Sequence, residues 1–193
     1  MGQIRIIGGR YRGRRLPVPS TAGLRPTSDR IRETVFNWLA PFVEGSRCLD
    51  CFAGSGALGL EAASRGAGEV WMIESAGAAV MQLRSNVQLI KAEKVRVIKA
   101  DALRWLSTQE PKPMDIIFLD PPFASGLLAP AIDKLESKGW VHPGSLLYLE
   151  TQSSGSPPSL PVAWSLLRHK RAGQVCYGLA RVGGVELALI GHA

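Results

Sequence analysis

From Arg47 to Glu150 the sequence alternates short apolar runs with amphipathic stretches, and this alternation constrains the fold more than any other feature. The runs Arg47–Phe52, Glu69–Ile73, Val95–Lys99, Met114–Leu119 and Ser145–Glu150 have the length and apolar character of buried strands. Helical patterns lie between them at Leu58–Arg65, Ala76–Ile90, Ala102–Thr108 and Leu127–Lys138, the first closed by Gly66 and the last by Gly139. Strand, helix and strand joined in this way build right-handed βαβ units and a parallel sheet covered on both faces. Two more runs, Trp164–Lys170 and Gln174–Arg181, meet around Ala172–Gly173. So short a connection makes them an antiparallel hairpin at one sheet edge. The expectation is an α/β fold with a seven-stranded, mostly parallel sheet and an antiparallel C-terminal hairpin.

Upstream, Gln3–Ile7 and Arg14–Val18 read as a small hairpin, with Gly8, Gly9 and Gly13 supplying turn freedom. "RPTSD" (25–29) is helix-start chemistry, and Ile31, Val35, Trp38 and Leu39 form an apolar helical stripe that ends near Pro41. Charge is segregated here. Residues 1–32 carry eight arginines against one acid, Asp29, and the rest of the chain is neutral, so the whole net charge of +7 lies in this segment. Arginine forks suit phosphates and stack on bases, so Arg5, Arg10, Arg12, Arg14, Arg15, Arg30 and Arg32 are the candidate nucleic-acid contacts. The division expected is a basic hairpin extension, 1–24, and one α/β domain, 25–193. "SSGSPPSLP" (153–161) reads as a loop. The N-terminus lacks the pattern of a signal peptide, and no apolar run approaches the roughly 20 residues of a membrane span. Three cysteines argue against a disulfide framework and for a reducing cytoplasm.

"LDCFAGSGALGLEAASRG" (49–66) joins the first sheet strand to its helix, and Gly54, Gly56 and Gly59 satisfy G-x-G-x-x-G. Such a loop receives a pyrophosphate in dinucleotide enzymes. It equally lets a nucleoside without phosphates lie against the backbone, and a plain tight turn needs no ligand at all. Asp50 bears on the choice: a carboxylate before the loop repels a pyrophosphate and suits an ammonium. Glu74 ends the second strand, where an acid accepts ribose hydroxyls. Asp101 ends the third and suits an adenine amine. Acids at four successive strand ends, 50, 74, 101 and 120, outline a cleft for a donor-rich cationic ligand. S-adenosylmethionine is such a ligand.

"FLDPPF" (118–123) places a carboxylate, two prolines and an aromatic ring at the end of the fourth strand. An exocyclic base amine is a poor nucleophile because its lone pair is delocalised into the ring. Two acceptors on its two hydrogens favour the tetrahedral form. The Asp120 side chain is one acceptor and the Pro121 carbonyl the other. Pro122 holds Pro121 extended, and neither proline has a competing amide hydrogen. Phe123 is placed to stack on the base. The bland reading is an ordinary turn with an apolar staple; the position beside the glycine loop favours function.

The glycine loop and "DPPF" together look like class I methyltransferases that modify exocyclic base amines. More closely, "IIGGRYRGRRLPVP", "LRPTSDRIRETVFNWL", "LDCFAGSGALGLEAASRGA", "FLDPPF" and "WSLLRHKRAGQVCYGL" resemble the bacterial 16S ribosomal RNA guanine-N2 methyltransferase family of the RsmD type. The resemblance covers nearly the whole chain. It implies a Rossmann-like class I methyltransferase fold, S-adenosylmethionine as donor, and guanine N2 in 16S rRNA as acceptor, within a partly assembled small subunit. It also implies that Asp50, Phe52, Ala53, Gly54, Ser55, Gly56, Glu74, Asp101 and Ala102 line the cofactor, and that Asp120, Pro121, Pro122 and Phe123 hold the guanine.

Thr27 and Arg25 are placed to reach the cofactor carboxylate, or Thr27 caps the helix. Cys48 and Cys51 form C-x-x-C, but on a strand they face opposite ways, so no metal is expected. Cys176 reads as a buried strand residue. His142, His169 and His192 share no spacing. "RHKR" (168–171) is either a further RNA contact or a solvated turn. Nothing in the sequence demands more than a monomer. The alternatives are a DNA or RNA adenine-N6 or cytosine-N4 methyltransferase, a nicotinamide oxidoreductase, and a non-catalytic RNA-binding assembly factor. The oxidoreductase leaves "DPPF" unexplained, and the assembly factor leaves the four acids unexplained.

Overall fold

The computed structural model of the chain describes residues 2–19, 27–153 and 159–183. Arg25, Pro26, His192 and residues 154–158 of the expected loop lie outside them. Strands β1 (Gly2–Arg5) and β2 (Arg15–Val18) pair antiparallel as a two-stranded sheet. Helix α1 (Asp29–Leu39) follows, and then the alternation begins: β3 (Arg47–Asp50), α2 (Ala57–Ser64), β4 (Glu69–Glu74), α3 (Gly77–Leu89), β5 (Val95–Lys99), α4 (Ala102–Thr108), β6 (Ile116–Leu119), α5 (Leu128–Ser137) and β7 (Leu146–Gln152). Strands β8 (Trp164–Ala172) and β9 (Val175–Val182) form the closing hairpin. The large sheet has seven strands in the order β5-β4-β3-β6-β7-β9-β8, parallel from β5 to β7 and antiparallel at β9 and β8. The expected α/β fold with its seven-stranded sheet is therefore the fold observed.

Strand alternation sorts the core into two layers. Cys48, Met72, Ile116, Phe118 and Tyr148 face α1, α2, α3 and the N-terminal hairpin. Leu49, Ile73, Ile117, Leu119 and Leu149 face α4 and α5. Phe36 of α1 meets the ring of Phe118 at 5.8 Å, which lays α1 under the end of β6. Boundaries shift where side chains take over from the ladder. β6 begins at Ile116 rather than Met114, because the Asp115 carboxylate accepts from the Arg47 amide at 2.7 Å. β3 ends at Asp50 rather than Phe52, because the chain turns into the glycine loop, with Gly56 N donating to Ala53 O at 2.6 Å.

The basic hairpin has no core of its own. Ile4, Ile6, Leu16 and Val18 are buried in the same layer as the sheet residues. Polar contacts bind its turn to α2. The amides of Ile7 and Gly8 each donate to Glu61 at 2.8 Å, Arg10 N donates to Ser64 O at 2.6 Å, and Tyr11 N donates to Ser64 Oγ at 2.9 Å. Gly9 sits at φ +73°, and a side chain there would collide with the Ser64 carbonyl oxygen, so only glycine permits this approach.

Three expectations need correction. Arg32 is not an RNA contact: its side chain is 1% exposed, on the inner face of α1. It donates to Asp29 Oδ1 at 2.6 Å and Arg5 O at 2.8 Å and lies 3.6 Å from Glu61. Cys176 is half-buried rather than buried. Ser28, not Thr27, caps α1, its hydroxyl accepting from Ile31 N. Cys48 and Cys51 do lie in opposite core layers, and burial pushes the Cys48 thiol up to about 12 and the Cys51 thiol well up too. No cluster of three or more metal-binding side chains occurs among the described residues. No helix among them is long and apolar enough to cross a membrane.

Candidate active site

The candidate acids stand along one edge of the sheet, at the carboxyl ends of the parallel strands. Asp50 ends β3 and Glu74 ends β4. Asp101 follows β5 as the N-cap of α4, and Asp120 follows β6 directly. From β3 the chain runs outward to β4 and β5, then returns to place β6 on the other side of β3. The gap between β3 and β6 is the topological switch point, where open α/β sheets bind ligands. Asp50 and Asp120 flank it.

The glycine loop is built for close approach. Gly54 and Gly56 adopt φ +49° and +79°, and a Cβ on Gly56 would come to 2.5 Å from Leu83 Cδ2. Ala53 and Ser55 are buried and Phe52 half-buried. Glu74 fixes the loop from the next strand, accepting from Gly54 N at 2.9 Å and Ala76 N at 2.7 Å. Asp101 accepts from Arg104 N on Oδ1 at 2.8 Å, its second oxygen has no hydrogen-bond partner among the described residues, and Ala102 beside it is buried.

Asp50 is the most telling group. It is 1% exposed, and its Oδ2 accepts from Gly59 N at 3.1 Å. Among the described residues its Oδ1 is buried with no hydrogen-bond partner. A buried carboxylate oxygen left unpaired is expensive, so this atom calls for a water, an ion or a ligand group to complete it. Burial pushes the Asp50 carboxyl up to about 7; the backbone amides of Gly59 and Phe52 oppose the shift, and the neighbouring Asp120 and Glu74 add to it. A bound ammonium would reverse this. The cradle therefore fits an amino-acid-like cationic ligand better than a phosphate.

Asp120 is half-buried, with Thr27 and Glu150 beside it. Thr27 Oγ1 donates to its Oδ2 at 2.9 Å, so the Thr27 hydroxyl hydrogen is committed to Asp120 rather than to a cofactor carboxylate. Glu150 of β7 neighbours Asp120 across the β6–β7 pairing, and Tyr148 donates its hydroxyl to Glu150 Oε2 at 2.6 Å. Burial raises the Asp120 carboxyl to about 6, against the Thr27 bond and the neighbouring Glu150, and raises Glu150 to about 7, with the Asp120 charge adding to it. Pro121 is buried, whereas Pro122 and Phe123 are exposed, the phenylalanine by 45%. The Pro122 carbonyl accepts from Ser125 N and Oγ. Among the described residues the Pro121 carbonyl has no such partner, so it is available. A cavity of ≈ 220 Å³ opens here, between Pro121, Pro122 and Phe123 on one side and Glu150, Thr151 and Gln152 on the other.

Sequence reading missed Glu150, Tyr148 and the partner of Thr27. A signal was present for the first: "LLYLE" ends the expected strand Ser145–Glu150 in an acid just as "FLD" does, although β7 runs on to Gln152. Arg5, Arg10, Arg12, Arg14, Arg15 and Arg30 are all exposed, though Arg5 also pairs with Asp29 at 3.2 Å. Arg168, His169, Lys170 and Arg171 are exposed on the edge strand β8.

The three raised carboxyls set a pH dependence. Each takes up its proton more readily in the folded chain than in the unfolded one, where the values are 3.8 for Asp and 4.5 for Glu. Their contribution to stability is full below the unfolded values and is lost as pH rises through about 6 to 7. Thermal melting between pH 5 and pH 8 should show this fall for the ligand-free chain, and Asp50→Asn should make it shallower.

Comparisons with known proteins extend this picture. Residues 4–181 match the family model described as Conserved hypothetical protein 95. The chain is 52% identical to the ribosomal RNA small subunit methyltransferase D of Escherichia coli over 178 residues, covering 92% of this chain and 89% of that protein. It is 45% identical to the protein of the same name from Haemophilus influenzae, covering 92% and 93%. A solved structure of a candidate methyltransferase from Escherichia coli superposes with a TM-score of 0.89 at 49% identity, over 94% of this chain and 99% of that one. With the cleft, the loop and these likenesses in agreement, the chain belongs to the Conserved hypothetical protein 95 family, among relatives that are small-subunit rRNA methyltransferases.

Proposed function

We propose that the protein methylates the exocyclic N2 amine of a guanine in 16S rRNA, with S-adenosylmethionine as donor. The observation that carries the reading is the pairing of two half-sites across the switch point. One is the unpartnered Asp50 oxygen beneath the glycine loop, and the other is Asp120–Phe123 beside an open cavity. The names of the relatives support rRNA as substrate.

Asp50 would receive the donor's ammonium, and Phe52–Gly56 would give it a surface of backbone and small side chains. Glu74 would accept from the ribose hydroxyls, and Asp101 with Ala102 would border the adenine. When bound, the donor supplies an electrophilic sulfonium methyl. Asp120 accepts a hydrogen bond from one hydrogen of the target amine and the Pro121 carbonyl accepts one from the other, which turns the nitrogen lone pair toward that methyl. Phe123 stacks on the extruded base, a contact worth roughly 1–3 kcal/mol. Holding amine and methyl in line supplies much of the acceleration. No base has to act first, because the proton can leave once nitrogen carries the methyl group.

The exposed Arg5, Arg10, Arg12, Arg14, Arg15 and Arg30 serve as phosphate contacts. A small domain with an arginine-rich N-terminal segment suits a substrate shaped by other components, so a partly assembled small subunit is the proposed particle and a monomer the working form. Labelled methyl transfer to small-subunit particles, naked rRNA and duplex DNA, followed by nucleoside analysis, tests the reading. N2-methylguanosine from the particles is the expected product. Methyladenine or methylcytosine would retain the chemistry and replace the substrate.

A further inference from the structure

We propose that Glu150 works as a carboxylic acid that donates a hydrogen bond to Asp120, and that it thereby aims the Asp120 carboxylate at the target amine. It is a positioning residue, and the inference rests on the methyltransferase reading above.

The sheet register brings the two acids together. Leu119 of β6 lies opposite Leu149 of β7, so the next residues, Asp120 and Glu150, are side by side. Two ionised carboxylates in contact at a buried strand end repel, and a single shared proton converts that repulsion into a hydrogen bond. The surroundings decide which acid keeps the proton. Asp120 is half-buried and receives the Thr27 hydroxyl on Oδ2, both of which favour its anion. Glu150 is 6% exposed. Its Oε2 already accepts from Tyr148, whose own side chain is fully buried, so the other oxygen is the one left to carry the hydrogen. Burial raises both carboxyls above their ordinary values, as expected of a pair that shares one proton.

The remaining neighbours do not upset the assignment. Tyr177 of β9 lies across from Glu150 in register, with Lys170 of β8 beyond it, and Asp50 acts on the far side of Asp120. No cation among the described residues pairs with either acid. The result is a chain of donors, Tyr148 to Glu150 to Asp120, met by Thr27 from α1's N-terminal side. With Thr27 and Glu150 both bound, Asp120 keeps its remaining lone pairs for the cleft. The mechanism needs an acceptor of fixed direction there, because misdirection of the amine is costly in rate.

The test compares Glu150→Ala with Glu150→Gln in methyl transfer to small-subunit particles. Alanine should lower kcat about 10–100-fold, the range seen for groups that orient a site from behind it, with KM little affected. Glutamine should recover most of that loss, since its amide donates to Asp120 and its carbonyl accepts from Tyr148. The wild-type profile should decline on the alkaline side as Glu150 loses its proton, and Glu150→Gln should lack that limb. A glutamine variant as inactive as alanine, or one that keeps the alkaline limb, would overturn the proposal. Carbon-13 titration of labelled glutamate carboxyls needs no substrate and separates this proposal from the choice of acceptor. One carboxyl protonated up to about neutral pH and absent from Glu150→Gln upholds the assignment even if rRNA proves not to be the acceptor. Glutamates that all titrate in the ordinary range sink it.

Discussion

Asp120→Ala is expected to lower methyl transfer by about 10²–10³-fold, the loss typical when one preorganised polar group is removed from a reacting centre. The fall should appear in kcat, because Asp120 acts on the amine during the reaction and makes little of the binding surface. Binding of rRNA should persist, since the exposed arginines of the hairpin and α1 are left intact. Folding should persist as well. Asp120 is one of a pair of crowded acids, and its removal relieves the repulsion that raises Glu150. Above pH 7, where that repulsion is largest, the variant should melt close to the wild type. Filter binding of rRNA, labelled methyl transfer and thermal melting on the same sample separate the possible outcomes. Full transfer by the variant would remove Asp120 from the chemistry. Loss of rRNA binding would instead make Asp120–Phe123 a docking element. Retained binding with lost transfer leaves no room for a purely non-catalytic assembly factor.

The architecture was legible because it is written in local pattern. Apolar runs such as "VWMI" and "IIFL" can only be buried on both faces, and the helices between them carry their own stripes and glycine stops. Acids at strand ends were equally visible, since position in the run fixes position in the sheet. What stayed hidden is three-dimensional pairing between distant segments. Arg32 looked like one more cation in a basic segment. Only the turn of α1, which carries it inward with Ile31, Val35 and Phe36, makes it a buried structural residue. Thr27 and Asp120 are 93 residues apart, and nothing local announces their bond. Glu150 was passed over for a different reason: it was read only as the last residue of the strand Ser145–Glu150. Its importance depends on the register with β6, which periodicity does not give.

The same blindness concealed the residue on which stability should depend most. Glu61 lies in α2, in a stretch read simply as helix, yet its side chain is fully buried. It accepts from Ile7 N, Gly8 N and Arg65 Nε, each at 2.8 Å, and lies 3.6 Å from the Arg32 guanidinium. One carboxylate thus links the hairpin turn, α1 and α2. Glu61→Ala would strand two amides and leave Arg32 with less compensation in the core, where its Nε already lacks a partner. Breaking a buried ion pair from one side costs about 3–5 kcal/mol, and this estimate applies here because Arg32 is 1% exposed. Urea unfolding should show that loss at a nearly unchanged m-value. Glu61→Gln, which keeps one acceptor, should lose less. The functional consequence follows from the geometry of the hairpin. Its turn carries Arg10, Arg12 and Arg14 and is held to α2 through Glu61 and Ser64, so Glu61→Ala should weaken rRNA binding more than binding of S-adenosylhomocysteine, whose proposed cradle lies at the other end of α2. A stability loss under about 1 kcal/mol would show that Ile4, Ile6 and Leu16 hold the hairpin by apolar burial alone.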